Sequence, residues 1–390
     1  MATVSFLWHL HQPAYRTADG TSHAPWAAVH AGGAYTTLAR AIETTSATGQ
    51  IVNIVPTLLE QLQAYADGSV TDPVLEAILT PVAVLSEDQC QTLVAWAFHV
   101  GSRQLARYPR LEELSFWKSD AGSEGRAAKQ LSSGDLRDLQ ILFVLAHAGE
   151  QAWTDTRLQP LYERGGDFSA NDHQHMVEWF RAQPAELIDR WRRIAELPGV
   201  EIATSPFAHP IMPLLIDTEI VHASWAPHPP PEVPEFRHPE DARWQLAKGL
   251  SFMHEHGFDT VGCWPPEGSV SADAIAAYGN AGIRWLVTDE GILERSLDRP
   301  LRNGDSTADE LYRQWRLGDD GPTLFFRDRT LSDAIGFEYG RWQDEGKAAE
   351  SLSRRLSGIA RELPEEASIV IALDGENPWL HFPDGGGLSL

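Results

Sequence analysis

Short apolar runs that end on polar or aromatic residues recur along this chain, and longer amphipathic stretches separate them. Val4–Trp8, Gln50–Val55, Glu201–Thr204, Val261–Trp264, Ile283–Thr288 and Ser368–Leu373 read as strands. Helical spacing of apolar positions predicts helices over Tyr35–Thr45, Thr57–Tyr65, Asp135–Gly149, Met176–Leu197 (restarted at Pro184), Asp241–His256 and Glu345–Leu363. Alternation of this kind predicts a parallel α/β sheet, and this many units favour a barrel over an open sheet. The interval from Pro56 to Pro198 is helical in pattern and too long for one crossover. It reads as a helical insertion, about residues 57–198, capping one side of the rim. Ala121–Gly134, rich in Gly, Ser and Ala, reads as a loop. Asp217–Glu240 carries prolines at 227, 229, 230, 231, 234 and 239 and cannot be a regular helix. It reads equally as a stiff wall beside a cleft or as a plain surface excursion.

The shortest unit is the most informative. Val261–Trp264, the small-residue helix Ser271–Gly282 and Ile283–Thr288 form a minimal strand–helix–strand crossover between parallel neighbours. Glu267 and Asp289 each follow one of these strand ends, so both carboxyls open onto the same rim. Two acids so placed point to acid/base chemistry, with glycoside cleavage the leading case. Neighbouring strands lie about 4.8 Å apart, which suits the carboxylate spacing of about 5–5.5 Å that gives retention of configuration. Spacing alone leaves the two roles interchangeable.

Composition narrows the partners. At 43% hydrophobic residues, 390 residues can bury a large core, and no run reaches the length of a membrane span. Met1–His9 lacks a basic start and reads as a first strand rather than a signal peptide. Cys90 and Cys263 are too few for a disulfide framework or a cysteine zinc site, and a cytoplasmic protein is expected. The net charge of −24, with lysine only at 118, 129, 248 and 347, repels nucleic acid and tolerates a neutral polymer such as a polysaccharide. Keeping the protein soluble explains that acidity at least as well.

Polar residues of a functional kind follow each strand except Gln50–Val55. His9, His11, Gln12 and Tyr15 follow the first, and His209 comes soon after Thr204. Trp264 with Glu267, then Asp289 with Glu290, then Asp374, Glu376, Asn377 and Trp379 follow the later ones. His9 and His11, two apart, face one side; without a carboxylate partner they suit sugar hydroxyls better than a metal. Most of the fourteen tryptophans belong to packing, with Trp264, Trp285 and Trp379 adjacent to the rim residues and Trp285 equally readable as core. Asp328 and Asp333 follow an apolar run beside Arg327 and Arg329, either of which could hold a site carboxylate; a structural salt bridge is the plainer reading.

These residues fall into five ordered blocks: His9-Leu10-His11-Gln12-Pro13, Gly199-Val200-Glu201-Ile202 running on to His209-Pro210, Cys263-Trp264-Pro265-Pro266-Glu267-Gly268-Ser269, Trp285-Leu286-Val287-Thr288-Asp289-Glu290, and Leu373-Asp374-Gly375-Glu376-Asn377-Pro378-Trp379. In them the chain resembles glycoside hydrolase family 57, the α-amylase and α-glucanotransferase family. The resemblance implies an incomplete (β/α)7 TIM-like barrel, Glu267 as nucleophile and Asp289 as general acid/base, with no metal and no cofactor. It implies a sugar subsite lined by His11, His209 and Asp374 with His9 and Trp264 nearby, and substrate contacts from Glu376 and Trp379. The Phe326–Tyr339 stretch resembles the amylase-like branch and brings Asp333 to the site. The expected substrate is an α-glucan such as starch, glycogen or a malto-oligosaccharide, cleaved at α-1,4 bonds. A 4-α-glucanotransferase or branching enzyme using the same pair is the alternative. A metal-dependent α-mannosidase or deacetylase-like hydrolase and a non-catalytic glucan-binding remnant are the readings from other classes. Family members usually continue into a C-terminal helical domain, so a chain ending at Gly385–Leu390 is expected to lack it and to act weakly on long glucans if those helices build acceptor subsites.

Overall fold

Seven parallel strands close on themselves into a barrel: β1 (Thr3–Leu10), β2 (Gly49–Ile54), β3 (Val200–Thr204), β4 (Gly262–Cys263), β5 (Trp285–Asp289), β7 (Thr323–Arg327) and β8 (Ser368–Asp374). The order around the ring is β1-β2-β3-β4-β5-β7-β8, and β8 returns to pair with β1. A two-residue strand, β6 (Trp315–Arg316), adds to β7 antiparallel outside the ring. This computed structural model describes residues 2–45, 49–225, 232–302, 309–342 and 344–382. Pro227 and Pro229–Pro231 of the proline-rich segment, and the Gly385–Leu390 tail, lie outside the described residues.

Period-two alternation divides the strand residues between two cores. Leu7, Val287, Val370 and Ala372, with Ile51, Phe325 and Trp285 against them, fill the barrel interior. Their neighbours Trp8, Leu10, Val52, Ile54, Leu286, Phe326, Ile369 and Ile371 face outward into the layer under the surrounding helices. A third core belongs to the helices between β2 and β3, built from Leu93, Leu111, Leu142, Phe143, Met176, Trp179 and others. Gly262 has a packing reason: a Cβ there would lie 1.8 Å from the Trp285 ring, which fills the barrel floor. Trp285 is therefore a half-buried packing residue at the barrel floor, its indole N–H donating to Glu201 Oε1 at 2.8 Å.

Three expectations are corrected. The helix predicted to restart at Pro184 runs unbroken from Ala170 to Ala195 with the proline inside. Burial of Trp179, Phe180, Leu187, Ile188 and Trp191 along one face outweighs the missing N–H. The loop expected over Ala121–Gly134 contains a helix, Glu124–Gln130, started by the Ser123 side chain accepting from the Arg126 N–H and fixed by buried Ala127. Thr323–Arg327, read only as an apolar run, is the seventh barrel strand. In the proline-rich segment, the described part holds only a short turn (Thr218–Ile220) and a five-residue helix (Val221–Trp225), and Pro239 opens the Pro239–Glu255 helix. No helix among the described residues is long and apolar enough to cross a membrane.

Candidate active site

The alternation that sends Leu7, Ile51, Val287, Phe325 and Ala372 inward sends the residue two further along each strand inward as well. In β1, β2, β5, β7 and β8 those residues are His9, Asn53, Asp289, Arg327 and Asp374. Register makes them neighbours: His9 pairs with both Asn53 and Asp374, and Asp289 pairs with Arg327. The top layer of the barrel is thus polar because five of its seven strands each carry one polar residue there. Above it opens a cavity of about 440 Å³ lined by His9, Trp264, Glu267, Asp289, Asp333 and Asp374, among others.

Glu267 sits on a single turn, Pro266–Gly268, directly after β4. Its backbone is left-handed (φ 58°), as is that of Gly268 (φ 64°), a costly conformation for a residue with a Cβ. The turn is held by the Gly268 N–H on the Pro265 carbonyl (2.8 Å) and by the Thr288 hydroxyl, which donates to the Gly268 carbonyl. Thr288 directly precedes Asp289, so one contact ties both acids together. His209 is also left-handed (φ 55°), so two of the four positive-φ residues other than glycine among the described residues are in this site.

Asp289 is clamped. Arg327 Nε donates to its Oδ2 at 2.9 Å, Arg329 donates to its Oδ1, and the Gly291 N–H adds a third bond at 2.9 Å. Burial pushes this carboxyl up, but the Arg329, Arg327 and Gly291 bonds outweigh it and hold it down at about 2. Arg327 is itself fixed by the Ala372 carbonyl (3.2 Å) and by Asp333 (3.5 Å). Arg329 is steadied through its N–H on Glu290 (2.9 Å), and Arg302 bridges Glu290 to the fully buried Asp328. Asp328 therefore serves the scaffold, while Asp333 reaches the cavity.

The three histidines stack, with ring centroids 4.9 Å apart for His9–His209, 5.8 Å for His9–His11 and 4.0 Å for His11–His209. Burial lowers all three, His11 to about 4 and His209 to about 2, with mutual repulsion adding to it for these two. All three are neutral at neutral pH. Asn53 fixes which His9 nitrogen carries hydrogen: its amide donates to the Thr204 carbonyl, so Oδ1 faces His9 Nδ1 at 2.8 Å and accepts from it. His9 Nε2 is left as an acceptor. Buried His11 Nδ1 and His209 Nε2 have no partner among the described residues, which suits groups that meet hydroxyls of a ligand. Among the described residues no group of three or more His, Cys, Asp or Glu is placed to hold a metal ion.

Glu376 and Trp379 depart from expectation. Neither lines the cavity, and they are 4% and 5% exposed. Trp379 packs on Trp8 and Phe382 with its indole N–H on the Gly375 carbonyl. Burial, and then the charge of Asp374, raise the Glu376 carboxyl well above its ordinary range, which favours its neutral form. It bonds the Gln12 side chain at 3.1 Å and braces the His9–Gln12 segment against the end of β8. Asp374 does reach the cavity, steadied by the Asn377 amide at 2.7 Å.

Asn53 is the functional residue that strand ends did not signal, because it lies within β2 and is fully buried. Its inward alternation with Ile51 was the available signal. Asn53→Ala strands the buried His9 Nδ1–H, while the Thr204 carbonyl keeps the Trp264 N–H at 3.0 Å, a loss of about 1–3 kcal/mol in urea unfolding. A free-energy change indistinguishable from zero would remove Asn53 from this role.

A family model described as "Glycosyl hydrolase family 57" matches residues 5–388. Three solved structures share the fold. TK1436, a GH57 branching enzyme from Thermococcus kodakaraensis, is 15% identical with a TM-score of 0.53, over 100% of this chain and 67% of that one. The α-amylase AmyC from Thermotoga maritima is 12% identical with a TM-score of 0.51, over 97% and 68%. A GH57-type branching enzyme from Pyrococcus horikoshii is 14% identical with a TM-score of 0.51, over 100% and 66%. The chain thus spans about two thirds of the length of each. No curated protein sequence matches it.

Proposed function

This chain belongs to glycosyl hydrolase family 57, and on that premise we propose that it is a retaining α-glucan-active enzyme that cleaves α-1,4-glucosidic bonds. The observation that carries the reading is that Glu267 and Asp289 stand at the ends of directly paired strands and line one cavity. Carboxyls on adjacent strands suit the short spacing of a double displacement. Glu267 attacks the anomeric carbon while Asp289 gives a proton to the departing oxygen. A covalent glycosyl–Glu267 ester results. Asp289, now ionised, takes a proton from water or from an acceptor hydroxyl as that oxygen displaces Glu267. Neutral His9, His11 and His209 each offer one donor and one acceptor to sugar hydroxyls, and Asp374 accepts from another. A neutral polymer also suits a chain with a net charge of −24.

The solved neighbours carry names for both hydrolysis and transfer, and the same two carboxyls serve a branching enzyme or 4-α-glucanotransferase equally well. Products from maltotriose and from a panel of α-glucans test the reading. Glucose and maltose alone mean hydrolysis, longer oligosaccharides mean transfer, and a first-formed α-anomer means retention. No turnover on any α-glucan, or a first-formed β-anomer, would overturn it.

A further inference from the structure

Phe337 is 72% exposed, yet it lines the catalytic cavity. It stands on a π-helical turn, Ala334–Glu338, a local irregularity common at functional sites. The turn is anchored from below: Ala334, Ile335 and Tyr339 are buried, and the Tyr339 hydroxyl bonds Ser351 at 3.2 Å. Beside Phe337, a Cβ on Gly336 would meet nothing within 4 Å, so the space is open. A large apolar ring held out over a cavity that also holds Glu267, Asp289, Asp333 and Asp374 leaves its face unpaired, and the ring C–H groups of a sugar match that face.

Trp264 packs over Gly268 beside Glu267, with His9 next to it. Asp289 is joined through Arg327 to Asp333, which lies one helical turn before Phe337. A general acid/base flanks the bond to the leaving group, so the sugar on its side is the one that leaves. Resting on the functional reading above, we infer that Phe337 is the stacking platform for the leaving and acceptor glucosyl unit and sets the balance between transfer and hydrolysis. With a sugar held there, its hydroxyl oxygen bonds the anomeric carbon as the Glu267 ester breaks. The hydroxyl proton passes to Asp289, and Glu267 leaves as carboxylate. With the platform gone, water takes that place.

Calorimetric binding of maltoheptaose to Glu267→Gln, with and without Phe337→Ala, tests the platform independently of turnover. Phe337→Ala is expected to weaken binding by about tenfold, and Phe337→Tyr to restore it. In the active enzyme, Phe337→Ala lowers the ratio of transfer to hydrolysis products from maltotriose, again restored by tyrosine. Equal dissociation constants with and without the ring overturn the inference. Tight, ring-dependent binding in a chain that never cleaves α-glucans keeps the platform and removes the catalytic reading instead.

Discussion

Glu267→Gln lowers kcat on malto-oligosaccharides by on the order of 10⁴-fold or more, with little change in thermal stability. The size follows from the role: an amide of the same shape cannot form the glycosyl ester, and the remaining groups only bind and polarise. The small stability effect follows from the surroundings. Glu267 is exposed, and among the described residues its carboxylate makes no hydrogen bond or ion pair to the protein. The left-handed turn that presents it is held by backbone and Thr288 contacts that do not involve the side chain. Initial rates and melting curves on the two proteins, side by side, check both halves. Wild-type rates in Glu267→Gln would remove the nucleophile from the mechanism. A large fall in melting temperature would show instead that the turn depends on the carboxylate.

Glu267 and Asp289 were legible in the sequence because a buried strand must end where the chain meets solvent, and polar residues there announce themselves. Residues inside strands do not. Asn53 sits in Gly49–Ile54, where Gly49, Ile51, Val52 and Ile54 make the segment read as plain core. Only the closed ring, with Asn53 opposite His9 in register, turns it into a positioning group. The seventh strand was obscured for a different reason. Thr323–Arg327 is five residues long behind Asp319-Asp320-Gly321-Pro322 and leads into the charged run Arg327–Arg329, so its chemistry drew attention away from its backbone. Pro184 and the Glu124–Gln130 helix show the usual limit of local propensity, which tertiary burial overrides. Glu376 and Trp379 carry the right residue types at a strand end, but beyond Asp374 the chain turns back over the barrel wall, and they brace the site from behind.

Arg329→Gln raises the pKa of Asp289 by about 1–3 units and moves the alkaline limb of kcat/KM upward. Arg329 is the partner to remove because its side chain is 43% exposed, whereas Arg327 also holds the Ala372 carbonyl and Asp333. A carboxyl held at about 2 is almost wholly ionised at neutral pH. That form suits the second step, in which Asp289 takes a proton, but the first step needs the acid. A substrate that displaces Arg329 would supply it by letting the carboxyl rise. The sign is fixed: losing a cation disfavours the carboxylate, so the acid form persists to higher pH and kcat/KM on the alkaline side increases. Folding stability should change in the matching sense. A carboxyl depressed in the folded state contributes stability that is present above its unfolded pKa and lost as pH falls through the folded value, here between about 4 and 2. Arg329→Gln removes part of that contribution at neutral pH, so its stability falls less steeply across the same acid window. Paired pH–rate profiles and acid titrations of unfolding read both effects. An alkaline limb that stays in place, or moves down, would show that Arg329 does not govern the Asp289 proton.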